Sequence, residues 1–86
     1  MRYRILIPKP VQKQLDALPS GVRERTIQRI AALQENPRPP GCVKLKGYAN
    51  EYRIRVGDYR IRYAIYDQDS LVVVLHCAHR REVYKR

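Results

Sequence analysis

The 86-residue chain contains neither tryptophan nor phenylalanine, so its aromatic content is carried entirely by seven tyrosines. A ring with a hydroxyl suits a sheet that is dry on one side and wet on the other, and it also stacks on exposed bases. Acidic residues are scarce, with eight Asp and Glu against eighteen Lys and Arg and a net charge of +10. Such a field attracts nucleic acid or an acidic protein partner. Two cysteines, Cys42 in a Pro/Gly stretch and Cys77 in an apolar run, do not make a disulfide framework and read as free thiols. Long hydrophobic runs are missing as well. Leu71 to Leu75 is far too short to span a bilayer, and the N-terminal MRYRILIPK, broken by charge and proline, reads as neither a signal peptide nor an anchor. The expectation is a cytoplasmic protein without membrane contact. Gly-rich phosphate loops, a GxSxG elbow and paired carboxylates at glycosidase spacing are all lacking.

What is present reads as one domain over residues 1–86. The charge is spread evenly, with eight basic against three acidic residues in 1–43 and ten against five in 44–86, so a disordered basic arm is not its source. An apolar content of 44% is a globular figure. Tyr3 to Ile7 reads as a strand, after which Pro8 and Pro10 open a short helix with Val11, Leu15 and Leu18 at i, i+4, i+7. Pro19 ends that helix. Ser20 is expected to cap a second one reaching about Asn36, with Val22, Ile27, Ile30 and Leu33 as its apolar stripe, before Pro37, Pro39, Pro40 and Gly41 stop it. Two strands, a turn at Asp67 to Ser70 and a last strand Leu71 to Ala78 complete the order. The fold class is α+β: two N-terminal helices packed on a small, largely antiparallel sheet of about four strands, β-α-α-β-β-β.

The densest signal is YRIRVGDYRIRY, Tyr52 to Tyr63. Alternation along a strand sets Tyr52, Ile54 and Val56 on one face and Arg53 and Arg55 on the other. Tyr59, Ile61 and Tyr63 alternate with Arg60 and Arg62 in the same way, and Gly57-Asp58 has the composition of a two-residue hairpin turn. That turn predicts Arg55 opposite Arg60 and Arg53 opposite Arg62. A like-charge ladder of this kind costs stability unless something anionic lies over it, and guanidinium groups grip phosphate bidentately. A bland solvated face would be served as well by Lys, Glu or Thr of mixed sign.

The terminal HRREVYKR places His79, Arg80, Arg81 and Tyr84 directly after a buried strand. His76, Cys77 and His79 diverge along that strand and have no second ligand pair elsewhere, so neither a metal site nor a cofactor is expected.

The order of elements, with VKLKG, YRIRVGDYRIRYAI and a terminal HRREVY, resembles the RelE/ParE superfamily of type II toxin–antitoxin toxins over nearly the whole length. That resemblance implies a RelE-like fold whose concave sheet face cleaves messenger RNA in the ribosomal decoding site, as a toxin that inhibits translation. By motif alignment it implies that Arg53, Arg55, Arg60, Arg80 and Tyr84 are the positions that carry the reaction. Arg53, Arg62, Lys44, Lys46 and Arg81 extend the RNA-binding surface. This chain has arginines at 53 and 55 where ribosome-dependent members carry lysine, and guanidinium does not readily yield a proton. The base falls instead to His79 or Tyr84. The expected partners are the ribosome, mRNA and a cognate antitoxin with an acidic, disordered neutralising segment, in a hetero-oligomeric complex. The superfamily's ParE-like branch, which inhibits DNA gyrase by protein binding without nuclease chemistry, is the alternative.

Overall fold

Proline placement frames the N-terminal half. In the computed structural model, which describes residues 2–83, strand β1 (Arg4–Leu6) leads into helix α1 (Lys9–Asp16). Pro8 is extended at φ −61° and ψ 155°, and Pro10 falls in the first turn, where a missing N–H costs nothing. Helix α1 buries Val11 and Leu15, with Leu18 packed partly against the same core. Helix α2 spans Ser20–Ala32. Its N-cap is Pro19 rather than Ser20, and no side-chain oxygen caps it. The Pro19 carbonyl instead accepts the Arg23 N–H at 2.8 Å and starts the helical ladder.

The α2 stripe also differs from the expected one. Thr26, Ile30 and Leu33 are the buried positions, while Ile27 is 42% exposed. Each residue turns about 100° around the axis, so Ile27 stands to one side of that stripe. There it lines an apolar groove with Ile5, Ile7 and Ile30. The helix stops at Ala32, short of Asn36, because Leu33, Gln34 and Glu35 bond three residues back and tighten the last turn. Thr26 Oγ1 is buried with no hydrogen-bond partner among the described residues. Thr26→Val removes that unsatisfied group at nearly constant volume, and should raise the unfolding free energy by about 1 kcal/mol in urea titration.

The sheet has five strands in the order β1-β5-β4-β3-β2, where β2 is Val43–Lys44, β3 Glu51–Val56, β4 Tyr59–Tyr66 and β5 Leu71–His79. Only β1 runs parallel to its neighbour β5; the other pairings are antiparallel. The strand beyond the expected four is β2, two residues opposite Tyr52 and Arg53 that sequence alone does not separate from loop. A short helix α3 (Arg80–Val83) follows β5 at once.

One face of this sheet lies under the helices and is dry. Ile54, Val56, Ile61, Tyr63, Ile65, Val72, Val74 and Cys77 join Val11, Leu15, Ile30 and Leu33 in a single core. Tyr63, fully buried, satisfies its hydroxyl by donating to the Pro37 carbonyl at 2.7 Å, and burial pushes its pKa up. Neither Cys42 nor Cys77 is joined in a disulfide among the described residues.

The proline-rich loop is fastened by Arg38. Its guanidinium donates to both carboxylate oxygens of Asp67, at 2.8 and 3.3 Å, and its Nε donates to the Tyr52 hydroxyl at 3.2 Å. Tyr3 donates its hydroxyl to Asp67 at 2.7 Å. Three segments distant in sequence meet on one carboxylate. Hydrogen bonds from Arg38 and then from Tyr3 hold Asp67 below its ordinary pKa. Its stabilising effect is therefore complete above the usual carboxylate value of about 3.9 and is lost as pH falls through the lower folded value. Asp67→Asn should lower the melting temperature at pH 7 and converge on the parent as the solution is acidified. Because Asp67 is solvent-exposed, salt should shrink the difference.

Candidate nucleic-acid interface

The arginine ladder is set by a tight turn. Gly57 has φ +59°, and positive φ at the first central residue alone is what a type II′ hairpin requires. The register that follows pairs Arg55 with Arg60 and Arg53 with Arg62. Since Ile54, Val56 and Ile61 lie in the core, these four arginines share the face turned away from the helices. Arg29 Nη1 donates to the Arg55 carbonyl at 3.3 Å, tying α2 to this strand from behind.

The ladder is not wholly cationic. Glu51 stands on the same alternation and accepts from Arg62 Nε at 2.7 Å, which raises the Arg62 pKa. The Tyr48 ring lies under the same guanidinium, its centroid 4.9 Å from the Arg62 carbon. Arg62 is thus occupied on two sides. Arg53, by contrast, buries its Nε without a hydrogen-bond partner among the described residues. A buried donor left open is costly, and a ligand oxygen would satisfy it.

Arg80 enters this surface from the end of β5. Its backbone N–H donates to the Asp58 carbonyl at 2.8 Å, and its Nε lies 3.9 Å from the Asp58 carboxylate. The hairpin tip is therefore pinned to the start of α3, two residues beyond Ala78, the cross-strand partner of Arg60. Arg81 is exposed one residue further on.

His79 does not join the arginines. Its register partner is Tyr59, whose ring it meets edge-on at 5.2 Å, and its Nδ1 accepts the Arg81 backbone N–H at 3.2 Å. Lys44 pairs with Tyr52, which sets it on the helix-side alternation of an edge strand, and Lys46 is exposed in the following loop. Tyr84 lies outside the described residues.

Three contributors to this face were not read from the chain. Glu51 carried a usable signal, because it alternates with Arg53 and Arg55. Tyr48 carried none, since nothing in VKLKGYANE fixes where the loop folds. His76 was concealed by a bulge: Tyr63 pairs with Val74 but Arg62 pairs with His76, leaving Leu75 as an extra residue.

The chain is similar to known toxins of type II toxin–antitoxin systems. A family model described as the ParE toxin of the type II toxin–antitoxin system, parDE, matches residues 5–84. The putative toxin RelE1 of Methanocaldococcus jannaschii is 30% identical, covering 99% of this chain and 98% of its own. Toxin RelE3 of the same organism is 32% identical over 94% of each. Among solved structures, the archaeal RelE–RelB complex from Pyrococcus horikoshii superposes with a TM-score of 0.82 at 33% identity, covering 93% of this chain and 97% of that one. The chain belongs to the ParE toxin family of type II toxin–antitoxin systems, within the RelE/ParE superfamily.

Proposed function

We propose that this toxin is an endoribonuclease that cuts translated mRNA on the ribosome, with the arginine face of β3 and β4 as its RNA-binding and catalytic surface. The observation that carries the reading is the juxtaposition of Arg53, Arg55 and Arg60 on the β3–β4 hairpin with Arg80 at the start of α3, which is bonded to the hairpin tip. A surface of this kind stabilises the charge that builds on a phosphorane far better than it binds an apolar partner. Likeness to RelE toxins along almost the full length supports the same target.

The RNA supplies its own nucleophile, the 2′-hydroxyl beside the scissile phosphate, so the chain needs to position and neutralise rather than attack. Arg60 and Arg80 contact the phosphate, Arg53 and Arg55 hold the flanking backbone, and Tyr84 stacks on a splayed base. Arg62, Lys44, Lys46 and Arg81 dock on RNA outside the cut. Ribosomal RNA fixes the message in line.

Neutralisation falls to an antitoxin, as the RelE–RelB complexes of P. horikoshii and M. jannaschii suggest by kinship. A chain of net charge +10 with an apolar groove between β1 and α2 calls for a segment bearing carboxylates and apolar side chains. Substituting the antitoxin's acidic residues should weaken the complex, most at low salt.

The matched model's ParE name favours a second reading, in which the target is DNA gyrase. Induced expression separates the two. Loss of protein synthesis before any DNA damage supports RNA cleavage; gyrase-dependent DNA breaks with intact mRNA support the second.

A further inference from the structure

We propose that His76 is the general base of the arginine face. The inference rests on the RNA-cleavage reading and deepens it by naming the group that takes the proton. Guanidinium does not fill that role at neutral pH, and imidazole is the side chain that ordinarily does.

The backbone puts His76 where strict alternation would not. From Leu71 to Val74 the strand alternates normally, with Val72 and Val74 fully buried under the helices. Continued alternation would send His76 to that same dry face. The register shift at Arg62/Tyr63 intervenes, so that Leu75 and His76 together stand against Arg62. After the bulge Cys77 and His79 return to the helix side, opposite Ile61 and Tyr59. A bulge of this kind re-aims one side chain while keeping the rest of the strand in the core.

The neighbours of His76 fit the role. Arg62 lies directly across the strand pair, Arg60 one step toward the hairpin tip, Arg53 beyond Arg62, and Arg80 past the end of the strand. Among the described residues Glu51 is engaged by Arg62, and the Asp58 carboxylate lies at the hairpin tip 3.9 Å from Arg80 Nε. Tyr48 packs on the same guanidinium. On its other side β5 meets β1, whose Leu6 pairs with Val73. His76 is half-buried and makes no hydrogen bond within the described residues, whereas His79 spends its Nδ1 on the Arg81 backbone and its ring on Tyr59. The two histidines thus divide between chemistry and structure.

In the proposed step a neutral imidazole nitrogen of His76 takes the proton of the 2′-hydroxyl as that oxygen bonds to phosphorus. The P–O5′ bond breaks, its electron pair leaves on O5′, and water protonates that oxygen. The resulting hydroxide is neutralised when the imidazolium releases its proton to solvent. The products are a 2′,3′-cyclic phosphate and a 5′-hydroxyl.

The test is single-turnover cleavage of a defined message on programmed ribosomes by the full chain and by His76→Gln and His79→Gln, from about pH 5.5 to pH 8.5 across the imidazole range. The parent rate should rise with unit slope at the acid end. His76→Gln should lose roughly 10²–10⁴-fold in rate and lose that slope, while still pelleting with ribosomes. His79→Gln should keep the slope. Cleavage by folded His76→Gln within a few-fold of the parent would overturn the inference and leave RNA cleavage standing. A parent rate flat in pH would overturn it too, even if His76→Gln fails to fold. A parent that cuts no RNA would overturn the functional reading itself.

Discussion

Arg60→Ala combined with Arg80→Ala should abolish growth arrest while leaving a folded protein that its antitoxin still binds. In the proposed reaction the two residues contact one phosphate from different elements: Arg60 from the start of β4, and Arg80 from the junction of β5 with α3. Each guanidinium that stabilises transition-state charge contributes about 2–4 kcal/mol, or roughly 30- to 1,000-fold in rate for each one removed. Arg80 is exposed and Arg60 is half-buried, so melting temperature should change far less than activity. The comparison variant is Arg62→Ala. Its guanidinium is already held by Glu51 and Tyr48, and losing it should weaken ribosome docking more than cleavage on a saturated complex. Toxicity that survives the double substitution in a folded chain would remove Arg60 and Arg80 from the catalytic assignment.

The second large effect lies in the substrate. Replacing the single 2′-hydroxyl 5′ of the cut with hydrogen should reduce cleavage to background, because the proposed reaction has no other nucleophile in place. Binding should hardly change, since the phosphates that the arginines grip are intact. This split between binding and chemistry is the signature of a group used only in the transition state. Efficient cutting of the deoxy message would point to an attacking water and would require a different arrangement of the face.

The arginine face was legible because it depends on two short-range rules, strand alternation and a Gly-Asp turn, neither of which needs tertiary information. The sheet and both helices follow from periodicity and proline in the same way. What escaped depended on contacts distant along the chain. Ile27 has the right chemistry for the α2 stripe, but Thr26 occupies the position that faces the sheet. Two-residue β2 exists only because β3 offers it partners. The Arg38–Asp67–Tyr3 junction joins residues 29 and 64 positions apart, which no local pattern announces. At the candidate site, one extra residue in β5 exchanges the faces of His76 and Cys77. Sequence alternation read without that bulge gives the wrong histidine a view of the arginines.

End-group analysis of the RNA is the most direct test of the central claim. Purified toxin is incubated with mRNA-programmed ribosomes, and the new termini are mapped with end-specific ligases and phosphatases. The account predicts cuts whose upstream fragments end in a 2′,3′-cyclic or 3′-phosphate and whose downstream fragments begin with a 5′-hydroxyl. Fragments with a 3′-hydroxyl and a 5′-phosphate, or a message left whole while gyrase stalls on DNA, would contradict it.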